Sequence, residues 1–173
     1  GTGVNYVHSD GQDTITATPG VQSITLNGGS SFVNVGSNSL VVDAAGNEQI
    51  TVGGASTVTG GTHDSINMAG TTGTVEGGLK NTISAAHGDL YTTHTDTALI
   101  NVSGALTFVG GTGDTTITAG QATIFGSNNL YARLDSTDAT SLFVANDGNE
   151  TLDGASSAFG IHAFGNVAGT TGT

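Results

Sequence analysis

Six polar side chains raise the question of metal chemistry. Asp13, Glu48, Asp64 and Glu150 each stand two residues before an aliphatic residue (Ile15, Ile50, Ile66 and Leu152). Asn81 holds the same place before Ile83, and Asp114 stands one position early, three residues before Ile117. In a regularly winding chain the positions two before the aliphatic residue share one column. Two carboxylates about 5 Å apart in such a column repel by roughly 0.8 kcal/mol in water, and by more where water is excluded. A hard cation relieves that repulsion, and calcium accepts carboxylate, amide and backbone oxygens in flexible geometry. Glu48 with Asp64 is the best adjacent pair, and Asp64 with Asn81 is next. Asp10 beside Asp13, and Asp147 beside Glu150, offer further oxygens locally. Two readings stay open. One is bound Ca2+, with Asp13, Glu48, Asp64, Asn81, Asp114 and Glu150 as the metal ligands. The other is a set of solvated turn residues, because Asp and Asn favour turns in any case.

Other chemistry finds less support. The histidines (His8, His63, His87, His94, His162) have neither cysteine partners nor an HExxH spacing, so they read as surface turn residues. No GxSxG nucleophile elbow is present. A basic residue beside a calcium site would suit a polysaccharide lyase, but Lys80 and Arg133 are the only Lys or Arg and lie about three coils apart. Acids repeated at turn after turn look like architecture rather than one active site. No enzymatic activity, catalytic residue or organic cofactor is expected.

The elements that would position these residues are short. One aliphatic series runs Ile15, Val33, Ile50, Ile66, Ile83, Ile100, Ile117, Leu134, Leu152, Val167. A second, offset by half a period, runs Val7, Ile24, Val41, Val58, Val75, Tyr91, Phe108, Ile124, Phe143, Ile161. Both recur at about 17 residues, which is the signature of a stacked repeat. Each half-repeat is a β-type triplet such as Thr57-Val58-Thr59, followed by a turn rich in Gly, Asn and Asp. In a strand the central Val points one way and its flanking Thr the other. One triplet cannot bury its apolar residue alone, whereas coils stacked about 4.8 Å apart line these residues into continuous ladders. The expected fold is all-β, a parallel β-solenoid (β-roll or β-helix) of about ten coils, forming one domain over 1–173. The register wavers at 36–42, 86–98 and 126–138, where loops or altered coils are expected. A β-sandwich of hairpins is the alternative, but it does not require a 17-residue period held along the whole chain.

The turns carry a resemblance. Gly110-Gly111-Thr112-Gly113-Asp114-Thr115-Thr116-Ile117 resembles the glycine-rich nonapeptide GGxGxDxUx of haemolysin-type (RTX) repeats in secreted bacterial proteins. Gly11-Gln12-Asp13-Thr14-Ile15, Gly46-Asn47-Glu48-Gln49-Ile50, Gly60-Gly61-Thr62-His63-Asp64-Ser65-Ile66 and Gly148-Asn149-Glu150-Thr151-Leu152 are shorter fragments of the same pattern. No turn is a full match, and Glu replaces Asp at 48 and 150. The resemblance implies a parallel β-roll, secretion, and calcium held between successive turns.

Composition sets the outer bounds. Two Lys plus Arg against 14 Asp plus Glu give a net charge of −12, which excludes nucleic-acid binding. Apolar runs are far shorter than the roughly 18 residues of a membrane-spanning helix. The absence of cysteine means that disulfides cannot supply stability. Flat Thr-x-Thr faces can bind ice, but Asn34, Asn67, Asn101, Asp135 and Asp153 interrupt the pairs Thr14/Thr16, Thr57/Thr59 and Thr116/Thr118. The expectation is an extracellular, cell-surface structural protein of bacterial origin. It is read as a mature protein or a segment of a longer array, associating with itself end to end or laterally in a filament, biofilm, surface layer or adhesin stalk. A calcium-binding module of a secreted enzyme and an ice-binding solenoid are the alternatives.

Overall fold

A computed structural model describes residues 4–17, 20–70, 72–85, 89–93, 97–110, 113–126, 129–135, 140–145, 149–154, 160–165 and 168–170. Short strands alternate between two faces. One face holds β1 (Asn5–Ser9), β3 (Gln22–Leu26), β5 (Leu40–Asp43), β7 (Ser56–Thr59), β9 (Thr72–Glu76), β11 (Asp89–Thr93), β15 (Ser141–Val144) and β17 (Ile161–Phe164). The other holds β2 (Thr14–Ala17), β4 (Phe32–Val35), β6 (Gln49–Val52), β8 (Ser65–Met68), β10 (Thr82–Ala85), β14 (Asn129–Leu134), β16 (Asn149–Asp153) and β18 (Ala168–Thr170). Two longer strands, β12 (Leu99–Val109) and β13 (Asp114–Phe125), run through both faces. Each strand pairs in parallel with the strand one coil away: β6, for example, sets Ile50 beside Val33 of β4 and Ile66 of β8. The chain is therefore a parallel β-solenoid with a period near 17 residues.

The aliphatic series forms the interior. Val33, Ile50, Ile66, Ile83, Ile100 and Ile117 lie one above another and are buried. Ile24, Val41, Val58 and Val75 do the same on the opposite face, followed along the axis by Phe108, Ile124 and Phe143. Alternation leaves the flanking Thr, Ser and Asn outside, as the triplets require.

The expected ten coils are reduced to about eight. Of the rungs in the first column, Val33, Ile50, Ile66, Ile83, Ile100, Ile117, Ala132 and Leu152 are buried. Ile15 is half-buried, and the last paired position is Gly169, which has no side chain to contribute. Four assignments in the two series also move. Ala132, not Leu134, continues the first column, while Leu134 pairs with Ala119 two residues along the strand. Gly169 pairs with Leu152 where Val167 was expected, and Val167 lies outside the described residues. Thr92 takes the rung assigned to Tyr91, and Ala163 that assigned to Ile161. Backbone bonding sets the rung whatever the side chain: Thr92 pairs with Phe108, and the exposed Ala163 pairs with Phe143 while Ile161 packs against the core.

Only some of the expected irregularities exist. Across 36–42, β5 holds register with β3 and β7, so no altered coil occurs there. Within 126–138 the coil is altered: Ile117 to Ala132 takes fifteen residues and Ala132 to Leu152 twenty. Within 86–98, β11 is a regular strand paired on both sides. An additional irregularity lies in β12, whose register to β13 slips between Val102 and Ala105. Among the described residues no helix is long and apolar enough to cross a membrane.

Candidate functional site

The corner where one face passes to the other is built from stacked loops. Gly46, Thr62 and Leu79 form successive parallel bridges. Backbone bonds run from Asn47 N–H to Thr62 O (2.9 Å) and from His63 N–H to Leu79 O (2.9 Å). Ser30, Asn47, His63, Lys80 and Thr97 all adopt left-handed φ, between 50° and 71°. Each stands just before the residue that opens the next strand segment, so one bend recurs coil after coil. It turns the next side chain inward. These inward residues are Ser31, Glu48, Asp64, Asn81 and Ala98, all buried. The column inferred from spacing therefore exists, but its members differ in chemistry.

Glu48 and Asp64 meet inside this corner together with Asp43, the last residue of β5. Each of the three offers a carboxylate oxygen within 4.8 Å of the others. Their exposures are 4% for Asp43, 1% for Glu48 and 2% for Asp64. Asp43 Oδ1 accepts from the Ala45 N–H (2.7 Å). Asp64 accepts from the Glu48 N–H (3.2 Å) and the Gly61 N–H (2.8 Å). Among the described residues, Asp43 Oδ2 and both Glu48 oxygens find no hydrogen-bond partner. Glycine makes the space: a Cβ on Gly61 would lie 2.7 Å from Asp43 Oδ2 and 2.3 Å from Ala45 O.

Burial sets the electrostatics. Loss of water pushes the Asp43 carboxyl from 3.8 up to about 8. The Ala45 N–H opposes this rise, while the Asp64 and Glu48 carboxylates add to it. Glu48 is also raised, first by burial and then by Asp64. Among the described residues no ion pair reaches the cluster: His8 pairs with Asp10 (2.9 Å) and Arg133 with Asp135 (3.6 Å).

The other expected ligands lie elsewhere. Asn81 is in the column, but its Oδ1 accepts from the Asp64 N–H (2.9 Å) and its Nδ2 donates to Gly61 O (3.4 Å), so its amide ties two coils together. Asp13 is exposed and takes the Ser9 hydroxyl (2.5 Å). Asp10 turns instead to His8 and Asn27. Asp114 is exposed and accepts from Asn129 Nδ2 (2.7 Å), while Thr115 takes the inward place. Glu150 is buried a long way along the axis, against Gly126, where a Cβ would lie 2.0 Å from Oε1. Asp147, His87 and His94 lie outside the described residues.

Asp43 follows an aliphatic position, Val41, instead of preceding one, so the spacing of acids before aliphatic residues does not single it out. Its signal was parity: in Leu40-Val41-Val42-Asp43, an inward Val41 forces Asp43 inward too. No protein-family model, curated protein or solved structure matches this chain.

Proposed function

We propose that the chain is a structural rod, a β-solenoid segment that serves outside the cell in a surface layer, filament or adhesin stalk and performs no catalysis. One observation carries this reading: successive described coils hydrogen-bond in parallel register around two continuous buried ladders. Such a stack resists bending and pulling because each coil is held by its neighbours. At ~4.8 Å per coil, about eight turns span ~38 Å. The outermost described strands, β1 and β2 at one end and β17 and β18 at the other, each pair on one side only. A parallel edge of this kind accepts a further coil, whether from continuing chain or from a second copy. Head-to-tail contacts between copies are open-ended and produce filaments. The acidic, cysteine-free composition and the RTX-like turns support an extracellular bacterial setting.

The outer surface favours a rod over an ice binder. Along one face the outward pairs run Thr14/Thr16, Phe32/Asn34, Gln49/Thr51 and Ser65/Asn67, with Phe32 exposed. A repeating hydroxyl array is absent from these rungs. Negative-stain imaging and light scattering over a concentration series test the proposal. Elongated particles that lengthen with concentration are expected; compact monomers at every concentration contradict it.

A further inference from the structure

We infer that the Asp43–Glu48–Asp64 corner binds one hard divalent cation of the calcium class, which fastens the coil containing residues 44–48 to the coil containing residues 60–64. This goes beyond the rod, since a solenoid can stand without an ion.

The donor set selects the ion. All three donors are carboxylate oxygens, mutually within 4.8 Å. Three carboxylate oxygens this close together can share one ion, and calcium accepts oxygens at about 2.3–2.6 Å in flexible geometry. Magnesium wants oxygens at about 2.0–2.1 Å and keeps several waters, which a dry corner does not supply. Zinc favours His and Cys donors, and none belongs to the cluster.

The second mark is independent of acid clustering. Glu48, 99% shielded, leaves both carboxylate oxygens without a partner among the described residues, and Asp43 Oδ2 is likewise bare. Buried polar atoms are normally satisfied, so three bare oxygens in one buried acidic corner call for a positively charged ligand. The remaining oxygens are already fixed by N–H groups of Ala45, Glu48 and Gly61, which hold the carboxylates in place without a side-chain cation. Along the same column the next positions are the occupied amide of Asn81 and the side chain of Ala98. The ion therefore joins one pair of coils rather than threading the rod.

Calorimetric titration of the full chain, freed of metal by chelation, tests this. One Ca2+ should bind per chain, with Mg2+ at least tenfold weaker. Asp43→Asn and Glu48→Gln should each weaken Ca2+ at least tenfold, while the exposed Asp114→Asn leaves it unchanged. Calcium binding that is undiminished in both corner variants would overturn the inference, as would the absence of a stoichiometric site in the wild-type chain. A measurement without variants guards against misfolding. At equal ionic strength, Ca2+ should raise the wild-type melting temperature more than Mg2+ does; equal shifts would also overturn it.

Discussion

Asp43 shows most clearly how burial and charge conflict in this chain. It ends β5 facing inward, 4% exposed, with Glu48 and Asp64 opposite. Its carboxyl is raised from 3.8 to about 8 in the fold. The folded chain thus holds a proton there that the unfolded chain has already lost over most of that range. Native binding exceeds unfolded binding, so stability falls as pH rises from about 4 to about 8. Glu48 is raised too and acts in the same direction. Freed of divalent cations, the protein should melt at a higher temperature at pH 5 than at pH 8, and Asp43→Asn should narrow the gap. A melting temperature that rises from pH 5 to pH 8 contradicts this. The column of Glu48, Asp64 and Asn81 was legible from spacing alone, because a fixed period places equal offsets above one another. Which acids would converge was not legible, since that depends on Gly61 leaving space and on Asp43 reaching across from the other face.

At the scale of strands and turns, the aliphatic ladders explain both what the sequence disclosed and where it misled. Ile66 is fully buried between Ile50 and Ile83. Coils on either side are fixed by backbone bonding, so they cannot collapse into a void. Ile66→Ala should therefore cost about 2–5 kcal/mol, read from the midpoint of urea unfolding. A loss below about 1 kcal/mol would mean that the site relaxes and that the ladder is loosely packed. The first column from Ile15 to Ile117 was readable because β-branched residues recur at nearly constant spacing, whereas the opposite face already departs at Thr92 and β12 slips between Val102 and Ala105. Beyond Ile117 the loops lengthen and shorten, Ala132 and Gly169 occupy rungs, and a search for large apolar residues lands beside the true register. The repeating left-handed turn had no signature in residue type either. Ser30, Asn47, His63, Lys80 and Thr97 share a φ region but not a chemistry.

For the molecule as a whole, everything follows from coils stacked along one axis. That geometry turns offsets into columns, brings Asp64 beneath Glu48, and leaves the outermost described strands paired on one side only. The chain contains no cysteine, so single spin labels can be placed without competing thiols. Thr14, Ser65, Thr116 and Thr151 are exposed and share one outward column, three, six and eight coils from the first to each of the others. Pulsed electron-electron resonance between a label at residue 14 and one at 65, 116 or 151 should give separations of ~14, ~29 and ~38 Å, growing by ~4.8 Å per coil. Distances that fail to grow in this order, with 14 and 151 closer together than 14 and 116, would contradict the solenoid and the cation corner built upon it.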